Sequence, residues 1–192
     1  MDGPALRVSY NRIALAMLDR LAKGATIRAE LPVESIRAIE DGFRFAWLPI
    51  EHHMVLIEAV RKHLGDRAAY DFWRRVTLEN FGGKAFQIPL SAIRRLFGLS
   101  PAAMCAQSAR YWPQYARELG TMKLGAKGPG YATLELEGFP KDLLASGTWV
   151  IGMAGGLAAY FDVCKVDGVC EPLVLDADRG RVDFKLRWHE RE

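Results

Sequence analysis

His53 is the side chain in this sequence that best combines a reactive type with a telling position. Helical spacing groups it with Ile50, Met54, Ile57 and Leu64 on the apolar face of one segment. A neutral imidazole on such a face can ligate iron, or it can hydrogen-bond a buried group as part of ordinary packing. Both readings are open. Adjacent His52 and His53 cannot address one metal from a regular helix, because neighbouring side chains diverge by about 100°. His52 and His63 are therefore expected at the surface.

Aromatic residues form the second candidate set. Trp73, Trp112 and Trp149, with Tyr111 and Tyr115, could line a pocket for a flat or long apolar ligand, and the same spacing also describes plain core packing. Cys105 lies one turn into a helical pattern, with no cation closer than Arg110 to activate its thiolate, so a small buried hydrophobe is expected. Cys164 and Cys170 flank Lys165, Asp167 and Gly168, without a second pair at zinc-site spacing. Glu135 and Glu137 share a strand face and could hold a proton between them, although an exposed charged face accounts for them equally. Ser146 lacks the glycines of a nucleophile elbow, no glycine loop ends in lysine-serine or lysine-threonine, and no histidine-glutamate pair has zincin spacing. No catalytic residue, metal site or cofactor is assigned, and the chain is read as a non-enzyme.

The elements that must position these residues divide at about residue 99. Tyr10, Ile13, Ala14, Met17, Leu18 and Leu21 describe an amphipathic helix ending at Lys23-Gly24. Further helices are expected from Pro32 to Asp41, Pro49 to Leu64, Asp66 to Asn80 and Pro89 to Phe97. Ser100-Pro101 then starts a long helix through Met104, Ser108, Tyr111, Trp112 and Tyr115. Pro113 inside it predicts a kink or interruption near Ala109 to Trp112. After Gly120 the period becomes two. Met122 and Leu124, a turn from Gly125 to Gly130, and Ala132, Leu134 and Leu136 read as one hairpin; Leu173 and Leu175 with Val182, Phe184, Leu186 and Trp188 read as a second. The fold class is α+β, an N-terminal helical part (1–99) followed by an α-ββ-α-ββ part (100–192) with a four-stranded antiparallel sheet, packed as one unit.

Between the hairpins, Leu143 to Phe161 is a run of 19 residues without a charge. A membrane span needs about 20 apolar residues. Four glycines in the run, and hairpins on either side that each need cover for an apolar face, favour a buried helix lying across the sheet. Gly152, Gly155 and Gly156 would let its backbone approach a strand or a ligand closely.

Composition narrows the function classes. The chain has 192 residues, 50% hydrophobic and 26% charged, with a formal charge of +3. Those proportions describe a folded globular protein. Arg61-Lys62, Arg74-Arg75 and Arg94-Arg95 lie in amphipathic patterns and read as solvated helix faces, so no nucleic-acid partner is expected. Three cysteines, and a start that lacks a signal-peptide pattern, give a cytoplasmic expectation.

The stretch Gly130-Tyr131-Ala132-Thr133-Leu134-Glu135, the helix Trp149-Val150-Ile151-Gly152-Met153-Ala154-Gly155-Gly156 and the terminal Val182 to Trp188 resemble a superfamily. It is shared by haem–nitric-oxide-binding domains, vinyl-reductase-type sensor domains and palmitate-binding subunits of the TRAPP tethering complex. The likeness covers about residues 100–188. In its size and its arginine-rich first half the chain is also similar to a family of uncharacterised proteins known mostly from myxobacteria. The resemblance implies a small-molecule site. In haem-binding relatives a tyrosine-x-serine-x-arginine motif clamps the propionates, whereas Tyr131-x-Thr133-x-Glu135 places a carboxylate at the cation's position and would repel one. The axial histidine those relatives carry on a later helix has no counterpart here. Sensor relatives often hold zinc through cysteines near the last hairpin, where this chain has Asp176, Arg179 and Asp183. In the tethering subunits a cysteine near the position of Cys105 can be acylated.

These observations lead to a non-catalytic, sensor-like domain that binds a small hydrophobic molecule or lipid near Trp149, Gly152, Gly156, Trp112, Tyr131, Trp73 and His53. Two alternatives stand beside it. One is a ligand-free interaction or homodimerisation module, and the other is a haem gas sensor that uses His53.

Overall fold

The computed structural model describes residues 3–83 and 99–190. The helix expected from Pro89 to Phe97, and the pair Arg94-Arg95, lie outside the described residues. In chain order the elements are β1 (Ala5–Arg7), α1 (Val8–Leu18), α2 (Gly24–Glu30), α3 (Val33–Glu40), β2 (Trp47–Pro49), α4 (Ile50–Leu64) and α5 (Asp66–Gly82). They continue as α6 (Pro101–Tyr115), β3 (Ala116–Arg117), β4 (Thr121–Gly128), β5 (Tyr131–Glu137), α7 (Lys141–Ala145), α8 (Thr148–Cys164), β6 (Val166–Asp176) and β7 (Arg181–Glu190).

The fold is mixed helix and strand, helical at its N-terminal end, with a four-stranded antiparallel sheet in the order β4-β5-β7-β6. The two hairpins lie side by side in it, joined by β5 and β7 in a register that sets Leu134 opposite Phe184 and Leu136 opposite Val182. Alternation sends one set of side chains to each face. Ala132, Leu134, Leu136, Val182, Phe184 and Leu186 are fully buried against Ala158 and Phe161 of α8, in one core cluster. A second cluster gathers Leu15, Leu18, Ile27, Ile39, Leu56, Val60, Phe72 and Trp73 from the helices before residue 83.

Helix boundaries follow local chemistry. Ser100 caps α6, its hydroxyl accepting from the Ala103 amide at 3.2 Å, and Pro101 fills the first turn. In α4, Glu51 stands in the first turn and Arg61, Lys62 and His63 in the last, signs that complement the helix dipole. Gly147 and Lys165, both left-handed, bound α8.

The structure departs from the sequence expectations at several places; α2, for one, follows the Lys23-Gly24 end signal where no helix is expected. A three-stranded sheet, β2-β1-β3, joins segments far apart in the chain, pairing Ala5 with both Pro49 and Arg117. Strands this short carry no legible period. Helix α6 runs through Pro113 to Tyr115 without interruption, the proline standing in its last turn, just before the chain leaves for β3. The first turn of the sheet is tighter than expected: β4 continues to Gly128, leaving Pro129-Gly130 as the loop, with Gly130 at φ +72°. The uncharged run divides at Gly147 into α7 and α8, and among the described residues no helix is long and apolar enough to cross a membrane.

Helix α8 lies between the sheet and α5, and of its three central glycines Gly155 approaches a helix backbone where a strand or ligand was expected. A Cβ at Gly155 would overlap the backbone carbonyl of Tyr70 on α5. Next along the same contact, Arg74 donates Nε and Nη2 to the two carboxylate oxygens of Asp162, at 2.6 and 2.8 Å. Gly155→Ala is therefore expected to cost about 1–3 kcal/mol by overpacking. Gly82→Ala, where nothing lies within 4 Å of the added carbon, is expected to be neutral or to stabilise by up to about 1 kcal/mol. Urea denaturation of the two variants checks the pair.

Candidate ligand-binding site

Between α1, α4 and α5 on one side and α6 and α8 on the other lies a cavity of about 360 Å³, closed at one edge by β1 and β4. Six of the seven residues singled out from sequence line it: His53, Trp73, Trp112, Trp149, Gly152 and Gly156. Tyr111 and Tyr115 join them. Tyr131 does not; it sits on the opposite face of β5, its ring over Gly128 and 5.9 Å from the Lys185 ammonium.

One wall is an aromatic group contributed by three helices. Tyr10 stacks on Trp73 with centroids 5.9 Å apart, and His53 meets the edge of Trp73 at 5.3 Å. Tyr10 shares a hydrogen bond with Thr77 at 3.0 Å, and burial pushes its phenol up to about 12. The indole of Trp73 is 1% exposed, and its Nε1 donor has no partner among the described residues. A buried unmet donor costs about 1–3 kcal/mol. Its ring edge faces α8, since a Cβ at Gly152 would stand 3.4 Å from Trp73 Cδ1.

Helix α6 forms the opposite wall with Met104, Gln107, Ser108, Tyr111, Trp112 and Tyr115. Ser108 donates to the Met104 carbonyl at 2.9 Å, so the Tyr160 hydroxyl, 2.5 Å away, is the donor to Ser108. This bond fixes α8 against α6 across the end of the cavity. Gly156 lies one turn before Tyr160 and opens the helix surface: an added Cβ would meet Thr77 Oγ1 at 3.1 Å and Tyr10 Oη at 3.7 Å.

His53 is 4% exposed. Its Nδ1 lies 2.7 Å from the amide oxygen of the fully buried Asn11, so Nδ1 carries the proton and the Nε2 lone pair is left available. Burial lowers its pKa to about 4, which keeps the imidazole neutral. The other helical histidines are less exposed than expected. His52 is half-buried and bonded to Ser35 at 2.9 Å, and His63 Nε2 lies 2.9 Å from Glu30 Oε1.

The remaining sequence candidates fall elsewhere. Cys105 is fully buried in the core, outside the cavity lining, with its thiol pushed up to about 12 by burial; acylation would need both an exposed sulfur and a thiolate. Cys164 and Cys170 are free thiols. Glu137 pairs with Lys123 at 3.2 Å. Among the described residues no group of three or more histidine, cysteine or acidic side chains could hold a metal ion. Arg7, Tyr10, Asn80 and Tyr160 also line the cavity, and no sequence pattern singled them out. Tyr10 and Tyr160 were legible only as parts of apolar runs, and Arg7 lies in a strand too short to show a pattern.

A haem held as the resemblance implies does not fit these residues. Thr133 and Glu135 lie on the face of β5 away from α8, where a Cβ at Gly125 would meet Thr133 Oγ1 at 2.5 Å and overlap the Glu135 carboxylate. Neither lines the cavity, and α6 brings no imidazole to it. Only the nitrogen of His53, from the opposite wall, matches part of such a site.

The buried imidazole predicts a pH dependence of stability. The folded form stays neutral down to about pH 4, whereas an unfolded chain takes up the proton near 6.5. The contribution is complete above pH 6.5 and is lost as the pH falls, the loss reaching about 2 kcal/mol by pH 5. Thermal melts at pH 7.5 and pH 5, compared with those of His53→Gln, are expected to show a drop in the wild type that the variant loses.

No protein-family model matches the chain, and no curated protein matches it. Solved structures do. The chain is similar to the Fe(II) unliganded H-NOX protein from K. algicida, with a TM-score of 0.52 at 13% identity over 93% of this chain and 96% of that one. A point mutant of the same K. algicida protein gives 0.58 and 11% over 97% and 98%. An oxygen-binding H-NOX domain related to soluble guanylate cyclases gives 0.57 and 12% over 94% and 95%. Over nearly its whole length the chain therefore has the fold of the H-NOX domains.

Proposed function

We propose that this chain is a non-catalytic regulatory domain that binds a small, largely apolar molecule in the cavity between α5, α6 and α8. The observation that carries the reading is the cavity itself, walled by Trp73, Trp112 and Trp149 from three helices, with the neutral His53 in one wall. About 360 Å³ falls within the roughly 300–1,000 Å³ of small-molecule sites. His53, Trp73, Trp112, Trp149, Gly152 and Gly156 are the contact residues. Because the walls come from helices in both halves of the chain, an occupant would bias how those helices pack, which is the means of signalling. The names of the fold neighbours, an oxygen-binding domain among them, support a sensing role.

A second reading is haem ligated by His53. The neutral imidazole, donating from Nδ1 to Asn11 and leaving Nε2 toward the cavity, is arranged as metal-ligating histidines are. Fold neighbours are described by their haem and their Fe(II).

Native mass spectrometry and a visible spectrum of freshly purified protein distinguish the two. Added mass without a Soret band is expected. A Soret band that His53→Gln removes would establish the second reading in its place. A bare chain mass, with no thermal shift in a screen of apolar compounds, would overturn both. Gly156→Leu, which fills the space before Thr77 and Tyr10, is expected to lower affinity for any occupant by about tenfold or more while the fold persists, as read by thermal shift.

A further inference from the structure

Among the described residues that line the cavity, Arg7 alone carries a formal charge. It ends β1, and neutral groups hold it. Nε donates to the Gln114 carbonyl at 2.8 Å, Nη1 donates to the Phe45 carbonyl, and the guanidinium lies 3.6 Å over the Trp47 ring. No carboxylate among the described residues reaches it. By contrast, Arg20, Arg28, Arg61, Arg74, Arg181 and Arg187 each hold one. Two carbonyls and an aromatic face therefore fix the fork in place while leaving its charge uncompensated.

Its surroundings suit an anion. Among the described residues no aspartate or glutamate lines the cavity, so none of them repels a carboxylate there. Gln107, Tyr111, Gln114 and Tyr115 bring polar tips along one face of α6, and Arg7 lies close enough to Tyr115 to favour its phenolate. Away from this end the walls are Trp73, Phe81, Trp149, Met153 and Leu157. An ion pair at the edge of such an apolar space is less screened than one in water, and a guanidinium fork matches a carboxylate.

Building on the binding role proposed above, we propose that the occupant is an apolar organic monoanion, an aryl or alkyl carboxylate or its sulfonate analogue. Its acid group pairs with Arg7, and its body lies along Trp73 and Gly152. One fixed cation sets one negative charge, and the apolar walls set the rest.

Two fluorescent probes that share a ring body test this on the full chain: 8-anilinonaphthalene-1-sulfonate, which is anionic, and N-phenyl-1-naphthylamine, which is neutral. Arg7→Gln is expected to weaken the sulfonate by about tenfold, the loss of one charge-assisted contact, and to leave the neutral probe within about twofold; Arg7→Lys is expected to recover part of the loss. Arg117→Gln, which removes a charge near Trp47 but outside the cavity lining, is expected to change neither affinity. Equal loss for both probes in Arg7→Gln would make Arg7 a structural residue and overturn the proposal, as would unchanged sulfonate binding or an Arg117→Gln effect of the same size. If neither probe binds the wild type, or Gly156→Leu displaces neither, the cavity reading itself fails.

Discussion

The close approach of α8 to α5 is the constraint on which the rest of the molecule depends. At Gly155 the absence of a side chain lets α8 rest on the Tyr70 backbone, and the Arg74–Asp162 pair closes the same seam. The other side of α8 covers the four-stranded sheet with Ala158 and Phe161. This one helix thus joins the sheet to the N-terminal helices, and any residue larger than glycine at position 155 would push α8 and α5 apart. Since α6 is tied to α8 by Tyr160 and Ser108, the distance from α5 to α6 is set by this helix as well. The cavity occupies the space that this spacing leaves.

The electrostatics of the cavity follow from burial more than from its few polar groups. Desolvation keeps His53 neutral and raises the phenols of Tyr10 and Tyr160, so the ionisable groups of the inner wall carry no charge at neutral pH. The charge of Arg7 survives because a guanidinium remains protonated in almost any setting. Its place at the rim, stacked on Trp47, limits what it loses by leaving water. The cavity is thus apolar in depth and positive at one edge. That distribution differs from a clamp built on β5, whose Tyr131-x-Thr133-x-Glu135 lies on the far side of the sheet.

Much of this is legible in the residues. The stripe Ala69, Phe72, Trp73 and Val76 marks the buried face of α5, and all four are buried. The alternation in Val182, Phe184 and Leu186 marks β7 and its inward side. His53, Trp73, Trp112, Trp149, Gly152 and Gly156 each fall in an apolar pattern of their own helix, and the fold brings them around one space. The same kind of reasoning misplaces Tyr131. A strand has two faces, and its motif alone does not say which of them the cavity will meet.

Periodicity and termination signals belong to the chain as a local object, so sequence alone determined α1, α3, α4, α5 and α6, the two hairpins and the apolar character of α8. Local signals carry no information about which distant segments meet. Only the tertiary structure decided that Ala5 pairs with both Pro49 and Arg117, and that this small sheet brings Arg7 to the cavity edge. It also decided that Asn11 orients His53 and that the Trp73 indole finds no acceptor among the described residues. Each depends on contacts between parts of the chain far apart in sequence. Such contacts are selected by the packing of the whole, because a backbone group or buried donor finds its partner only after the elements have come together.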